Sequence, residues 1–226
     1  MSGGRARAAR AREAELWALI HEERTALADD LGGLGLEQWR HHTLCGEWDV
    51  EEVVAHLTAA ASVGRWAWLR SIVGARFRPD VHNQRRLEEH RGATPAETLD
   101  RFRAVRTATI APSGHLPAYL GEVVVHAQDI RRPLGLTPRP SVDALLPVAT
   151  FFTEQNFTVP SRRRAAGLRL EADDSSFSAG EGPRVTGSTE ALVMALAGRT
   201  AYLTELDGPG VSILIERLEA PGATAA

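Results

Sequence analysis

The spacing of apolar residues changes once along this chain, and that change limits the folds open to it. Up to about residue 157 they recur at i, i+3 and i+4 in segments bounded by capping residues, the pattern of amphipathic helices packed on one another. After residue 165 the pattern differs: Leu168, Leu170 and Ala172 alternate with polar residues, as on a half-buried strand. The chain therefore reads as α+β, with a helical domain over residues 11–157, a linker TVPSRRR over 158–164, and a small α/β domain over 165–219. The three arginines of the linker read as a solvated surface.

The first helix is expected over 11–30, with Leu16, Trp17, Ile20, Leu27 and Leu31 inward and Gly32 and Gly33 as the stop. The Arg-rich residues before it lack the apolar core of a signal peptide and read as a frayed extension of that helix, with an organellar address as the alternative. The second helix is started with more care. Asp49 is its N-cap, Glu52 three residues on completes a capping box, and Trp48 and Val53 form a hydrophobic staple. It is expected to run to about residue 73 with Leu57, Ala60, Val63, Trp66, Ala67 and Ile72 inward. His56 shares the apolar face with Val53 and Ala60, so it is either a core histidine bonded to a carbonyl or a side chain aimed at a site.

Residues 74–92 read as a polar crossover with a short helix near 84–89, where His82 and His90 are solvated. A third helix opens at Thr94, Pro95 and Glu97 and buries Leu99, Phe102, Val105 and Ile110. The fourth, between Pro117 and Pro133, carries an apolar stripe of Leu120, Val123, Val124, Ala127 and Ile130; beside it runs a second line of Tyr119, Glu122, His126 and Asp129. A fifth helix is expected over 142–155, kinked or delayed by Pro147. Strands follow at 168–172, 176–179 and 184–187, then a helix capped by Ser188 and ended by Gly198, and a tail, LDGPGVSILIERL, that fits strand or helix. The tryptophans all precede residue 70 and read as packing mass for the helices.

Composition excludes several chemistries. At 226 residues and 43% hydrophobic, the chain can bury one good core and a second small one, and no apolar run is long enough to span a membrane. A formal charge of −3 with scattered basic residues argues against nucleic acid. All 26 basic residues are arginine, so no lysine can form a Schiff base. Cys45 is the only cysteine; it permits no intrachain disulfide, fits a reducing cytoplasm, and reads as a small buried apolar group.

Glu122 and His126 stand one helical turn apart, and a histidine from a facing helix, His56, would complete three ligands of the type that zinc and other divalent metals accept, with a fourth position open. The alternative is an ordinary solvated i,i+4 pair on the outer face of the helix.

The pieces WDVEEVVAHL, 48–57, and EVVVHAQDIRRPLG, 122–135, resemble the mycothiol-dependent maleylpyruvate isomerase family, the actinobacterial branch of the DinB-like metalloenzymes. The resemblance implies an N-terminal DinB-like four-helix bundle whose metal ligands are His56, Glu122 and His126, followed by a small sterol-carrier-like α/β domain with a helical tail. It implies a divalent metal, zinc first, and mycothiol as the thiol cofactor. LAGR, 196–199, matches a recurrent Leu-x-Gly-Arg element, which implies that Arg199 reaches the active site and meets cofactor and substrate there; without the resemblance, Arg199 only complements a helix dipole. Asp129 would orient a ligand, or pair with Arg131 or Arg132.

The expected function is a metal-dependent, mycothiol-using isomerase or thiol transferase acting on a small electrophile, monomeric and cytoplasmic, with no nucleic-acid or membrane partner. The alternatives are a metal-dependent hydrolase with a water in the open position, or a non-catalytic metal- or ligand-binding protein. The chain departs from the family pattern at Cys45 to Trp48, CGEW where the family usually reads Cys-Pro-Gly-Trp, and in a short crossover between the second and third helices.

Overall fold

A computed structural model describes residues 2–62, 64, 87–137 and 139–220 of the chain. They fall into two compact units, Met1–Arg139 and Pro140–Ala225. The outer parts expected of the second helix, with Val63, Trp66, Ala67 and Ile72, and most of the crossover, with His82, lie outside the described residues.

The first unit holds α1 (Ser2–Gly32), the short α2 (Leu36–Trp39), α3 (Val50–Ser62), α4 (Pro95–Val105) and α5 (Leu116–Arg131). Helix α1 packs on α5 and α4, and α3 packs on the same two helices. Their shared core contains Ile20, Leu27 and Leu31 from α1, Val53, Val54 and Leu57 from α3, Leu99 and Phe102 from α4, and Leu120, Val124 and Ile130 from α5. Helix α1 begins at Ser2, well before residue 11, and its first two turns are exposed. Helix α4 ends at Val105, earlier than its apolar stripe suggested, and Ile110 lies 39% exposed. Its start is as expected: Thr94 Oγ1 accepts from Glu97 N at 3.2 Å, with Pro95 in the first turn.

The capping box of α3 is formed. Asp49 Oδ1 accepts from Glu52 N at 2.8 Å, and Glu52 Oε2 accepts from Asp49 N at 3.0 Å. The loop before it closes on itself through Thr43 N to Trp48 O at 3.0 Å and Val50 N to His41 O at 3.2 Å. Within it Trp48 N reaches Cys45 O at 3.2 Å, and Gly46 has φ +59°. A proline there would need φ near about −65°, so this turn has the opposite hand at the position where the family usually has proline.

The second unit holds α6 (Val142–Glu154), α7 (Ser161–Ala165), β1 (Arg169–Ala172), β2 (Ser178–Ala179), β3 (Arg184–Gly187), α8 (Thr189–Ala197), a 3-10 turn (Thr200–Glu205) and α9 (Val211–Glu219). The sheet order is β2-β1-β3, with β2 antiparallel and β3 parallel to β1. Helix α8 is buried along its whole length between α6 and the sheet, capped by Ser188 and ended by Gly198 at φ +102°. The α+β class is as expected, and the ambiguous tail is helical.

Two expectations need correction here. Helix α6 was placed in the helical domain, but Leu145, Val148 and Phe152 bury it in the second unit, against α8; an apolar stripe shows that a helix packs without showing on what. It also runs through Pro147 unbroken. Arg164, expected on a solvated linker, is 3% exposed and donates from Nη1 to Leu196 O at 2.8 Å, satisfying a carbonyl at the end of α8.

Candidate metal centre

Helices α3 and α5 face each other with His56 on one and Glu122 and His126 on the other. The capping box fixes where α3 starts, and with it the height of His56 two turns on. His56 Nε2 lies 3.1 Å from Glu122 Oε1, and the rings of His56 and His126 stand edge to face with centroids 5.2 Å apart. The three side chains are largely buried, at 15%, 23% and 13% exposure. The structure brings the three residues side by side and does not leave Glu122 and His126 as an outer, solvated pair. Trp48, expected to staple Val53, sets its ring 5.0 Å from that of His56.

Asp129 is fully buried, and its Oδ2 lies 3.0 Å from His126 Nδ1. It therefore orients that imidazole, and Arg131, one of its alternative partners, turns instead to Asp30 at 2.7 Å. With Nδ1 engaged, Nε2 is the ring nitrogen left for a ligand, the arrangement in which a carboxylate fixes the tautomer of a metal-binding histidine.

Charge in the site is balanced internally. Burial raises the Glu122 carboxyl, but the His56 hydrogen bond and the charges of His56, His126 and Arg24 outweigh it and hold the group below the usual carboxylate range. Burial lowers His126, and Cys45 and Asp129 beside it overturn that and lift it to about 10. A metal would compete with that proton.

Two residues of the site were missed by sequence reasoning. Arg24 on α1 is 1% exposed; its Nη1 donates to Ala108 O at 2.9 Å and Val105 O at 3.3 Å, and its Nη2 donates to the Tyr119 hydroxyl. It closes the end of α4 and lies 5.1 Å from the Tyr119 ring centroid, while burial holds that phenol protonated far above its usual range. An arginine at the edge of an apolar stripe gives no signal for this. Cys45 was read as a bland apolar group, yet it is only half-buried and its sulfur sits against His126 and Asp129. Among the described residues, Cys45, His126 and Asp129 bring three ligand-type atoms within 4.8 Å of one another; His56 and Glu122 are not part of that tight group.

Arg199 lies in the second unit, just after the Gly198 cap, half-buried, with Nη1 donating to Ala197 O at 3.0 Å. That is the helix-end role the residues alone suggested.

Residues 20–117 match the mycothiol maleylpyruvate isomerase N-terminal domain family. The match lies within the N-terminal unit and covers less than half of the chain. The matched segment contains Cys45 and His56 and stops short of Glu122. Crystal structures of the mycothiol-dependent maleylpyruvate isomerase and of a histidine-to-alanine mutant of it share the fold. The mutant superposes with a TM-score of 0.62 at 15% identity, and the unmutated enzyme with 0.60 at 16%; each match covers 92% of this chain and 95% of the other. Among curated proteins no significant match is found. No helix among the described residues is long and apolar enough to cross a membrane.

Proposed function

We propose that this chain is a member of the mycothiol maleylpyruvate isomerase family and a metal-dependent enzyme that uses mycothiol to isomerise, or to transfer the thiol to, a small electrophilic substrate, with maleylpyruvate-type cis-trans isomerisation as the model reaction. The observation that carries the proposal is the convergence of His56, Glu122 and His126 between α3 and α5, with Asp129 behind His126. Two imidazoles and a carboxylate are the donor set of an open divalent site, zinc first, so the residues fit the ion that the family implies. When bound, such an ion supplies a Lewis acid that lowers the pKa of an incoming thiol toward neutrality.

The chain's own residues do the rest. His56, Glu122 and His126 hold the ion; Asp129 keeps the proton on Nδ1 of His126 and so keeps Nε2 as the ligand atom. Arg24 and Tyr119 form the buried floor beside Glu122 and hold the end of α4 in place. Trp48 closes one side of His56 against water. In this reading the first unit is a DinB-like four-helix bundle and the second a sterol-carrier-like domain. Arg199 binds the substrate carboxylate and the oxygen that gains charge when a thiolate adds to the conjugated double bond. The protein works as a monomer in a reducing cytoplasm.

Metal analysis of protein purified without chelator tests the first step: about one equivalent of divalent metal is expected, and well under one after zinc is added back rejects it. Turnover of a panel of small α,β-unsaturated acids should require mycothiol; equal rates without thiol would leave the hydrolase reading standing. Arg199→Lys should lower turnover roughly tenfold with metal content unchanged, the scale of one lost charge-stabilising contact. Wild-type rates from Arg199→Ala would confine the chemistry to the first unit.

A further inference from the structure

Besides the meeting of His56 and Glu122, Cys45, His126 and Asp129 bring a sulfur, a ring nitrogen and a carboxylate oxygen within 4.8 Å of one another. In a tetrahedral site with bonds of about 2.0–2.3 Å, neighbouring ligand atoms lie roughly 3.3–3.8 Å apart, so these three need close by only about an ångström.

Their placement is built. Leu44 N donates to the backbone oxygen of Asp129 at 3.1 Å, stitching the loop to α5 one residue before the cysteine. Cys45 N donates to Thr43 Oγ1 at 3.1 Å, and that same hydroxyl donates to Trp48 O at 2.9 Å. The cysteine is thus held by its own amide and by the amide before it. Asp129 is fully buried, with its Oδ2 3.0 Å from His126 Nδ1.

We propose that Cys45, His126 and Asp129 form a second metal position, selective for a soft, thiophilic divalent cation such as zinc, cadmium or cobalt. It shares His126 with the site of His56 and Glu122 but does not depend on that reading, since neither of those residues belongs to it. Binding replaces both the thiol S–H bond and the His126 ring N–H that faces Asp129 by bonds to the metal and releases both protons to solvent, so it takes the place of the His126–Asp129 hydrogen bond. Thiolate, imidazole and carboxylate together select a borderline-to-soft ion over magnesium or calcium, which want oxygen ligands alone.

Cobalt(II) titration of the metal-free full-length protein, with no added thiol, tests this. Cys45 is the only cysteine, so a thiolate-to-cobalt charge-transfer band in the near ultraviolet reports this residue alone. The band should appear in wild type, persist in Glu122→Gln, weaken at least tenfold in apparent affinity in Asp129→Asn, and vanish in Cys45→Ser. Cobalt bound without the band in wild type, or a band that survives Cys45→Ser, would overturn the proposal. So would loss of the band in Glu122→Gln, which would place the sulfur on the first site. If Glu122→Gln instead leaves the number of bound ions unchanged, the first site fails and this one stands. A measurement on the unmutated protein guards against misfolded variants: saturating cadmium should slow alkylation of Cys45 by iodoacetamide at least tenfold, and unchanged alkylation rejects the site.

Discussion

Glu51 and Glu122 are both largely buried carboxylates on facing helices, and their surroundings differ in kind. Glu51, at the start of α3 and 1% exposed, accepts from Thr98 Oγ1 at 2.9 Å and from Arg91 Nη2 and Nε at 2.9 and 3.2 Å, with Arg40 Nη1 at 3.2 Å. Both carboxylate oxygens are answered by donors. Glu122 faces His56 at 3.1 Å and keeps 23% of its side chain accessible. The first carboxylate is spent on joining α3 to α4 and the segment before it. The second has capacity left for something that arrives. Full satisfaction marks a structural acid, and partial satisfaction by imidazoles marks one that can bind.

The largest effect expected from this contrast is on folding. Glu51→Ala leaves Arg91 and Thr98 facing an empty buried position and should cost about 3 kcal/mol, the lower end for breaking a buried pair because both arginines are partly exposed. Urea denaturation of the metal-free protein reads it, and a loss below about 1 kcal/mol would erase the distinction. Glu122→Gln should do the reverse. Metal affinity should fall by at least about a hundredfold while metal-free stability stays within roughly 1 kcal/mol, because no packing is lost. Asp129→Asn should lower affinity by about 10–100-fold, the usual cost of removing the group that orients a ligating histidine.

A pH series separates the two acids further. His126 has a folded value of about 10, above its unfolded one of about 6.5, so in metal-free protein its contribution to stability is complete below pH 6.5 and is lost as pH rises toward 10. Glu122 has a lowered folded value, so its contribution is present above the ordinary carboxylate range and is lost as pH falls through the folded value. Metal affinity should rise with pH over the His126 window, since the ring must shed its proton to bind; isothermal titration at several pH values would show it, and a flat profile would contradict the assignment of His126 as a ligand. The smallest effect is expected for Thr98→Val, about 1–2 kcal/mol from one lost donor to Glu51 in a site that otherwise stays paired.

Much of this could be read from residue spacing because it is local. The Asp49–Glu52 box, the Thr94 cap and the line of Tyr119, Glu122, His126 and Asp129 depend on helical geometry, which repeats wherever a helix forms. What escaped was set by tertiary neighbours. Arg24 looks like any surface arginine until Val105 and Ala108 offer it their carbonyls, and Arg164 looks like a linker charge until Leu196 does the same. Cys45 was misjudged because its position depends on a turn whose hand follows from Gly46 and on a hydrogen bond from Leu44 to a helix 85 residues away. The approach of the Trp48 ring to that of His56, centroids 5.0 Å apart, depends on the same turn. The membership of α6 in the second unit is likewise a matter of which apolar surface it meets.

The bond from Leu44 N to Asp129 O gives the centre its own gauge. An amide proton exchanges with deuterium only when its hydrogen bond opens, so the exchange rate at this single position measures how often the loop lifts away from α5. Ligands that press the loop down would slow it, and ligands that must pass beneath the loop would speed it. One backbone proton thus distinguishes a site whose door stays shut from one whose door swings, without labelling either the metal or the substrate.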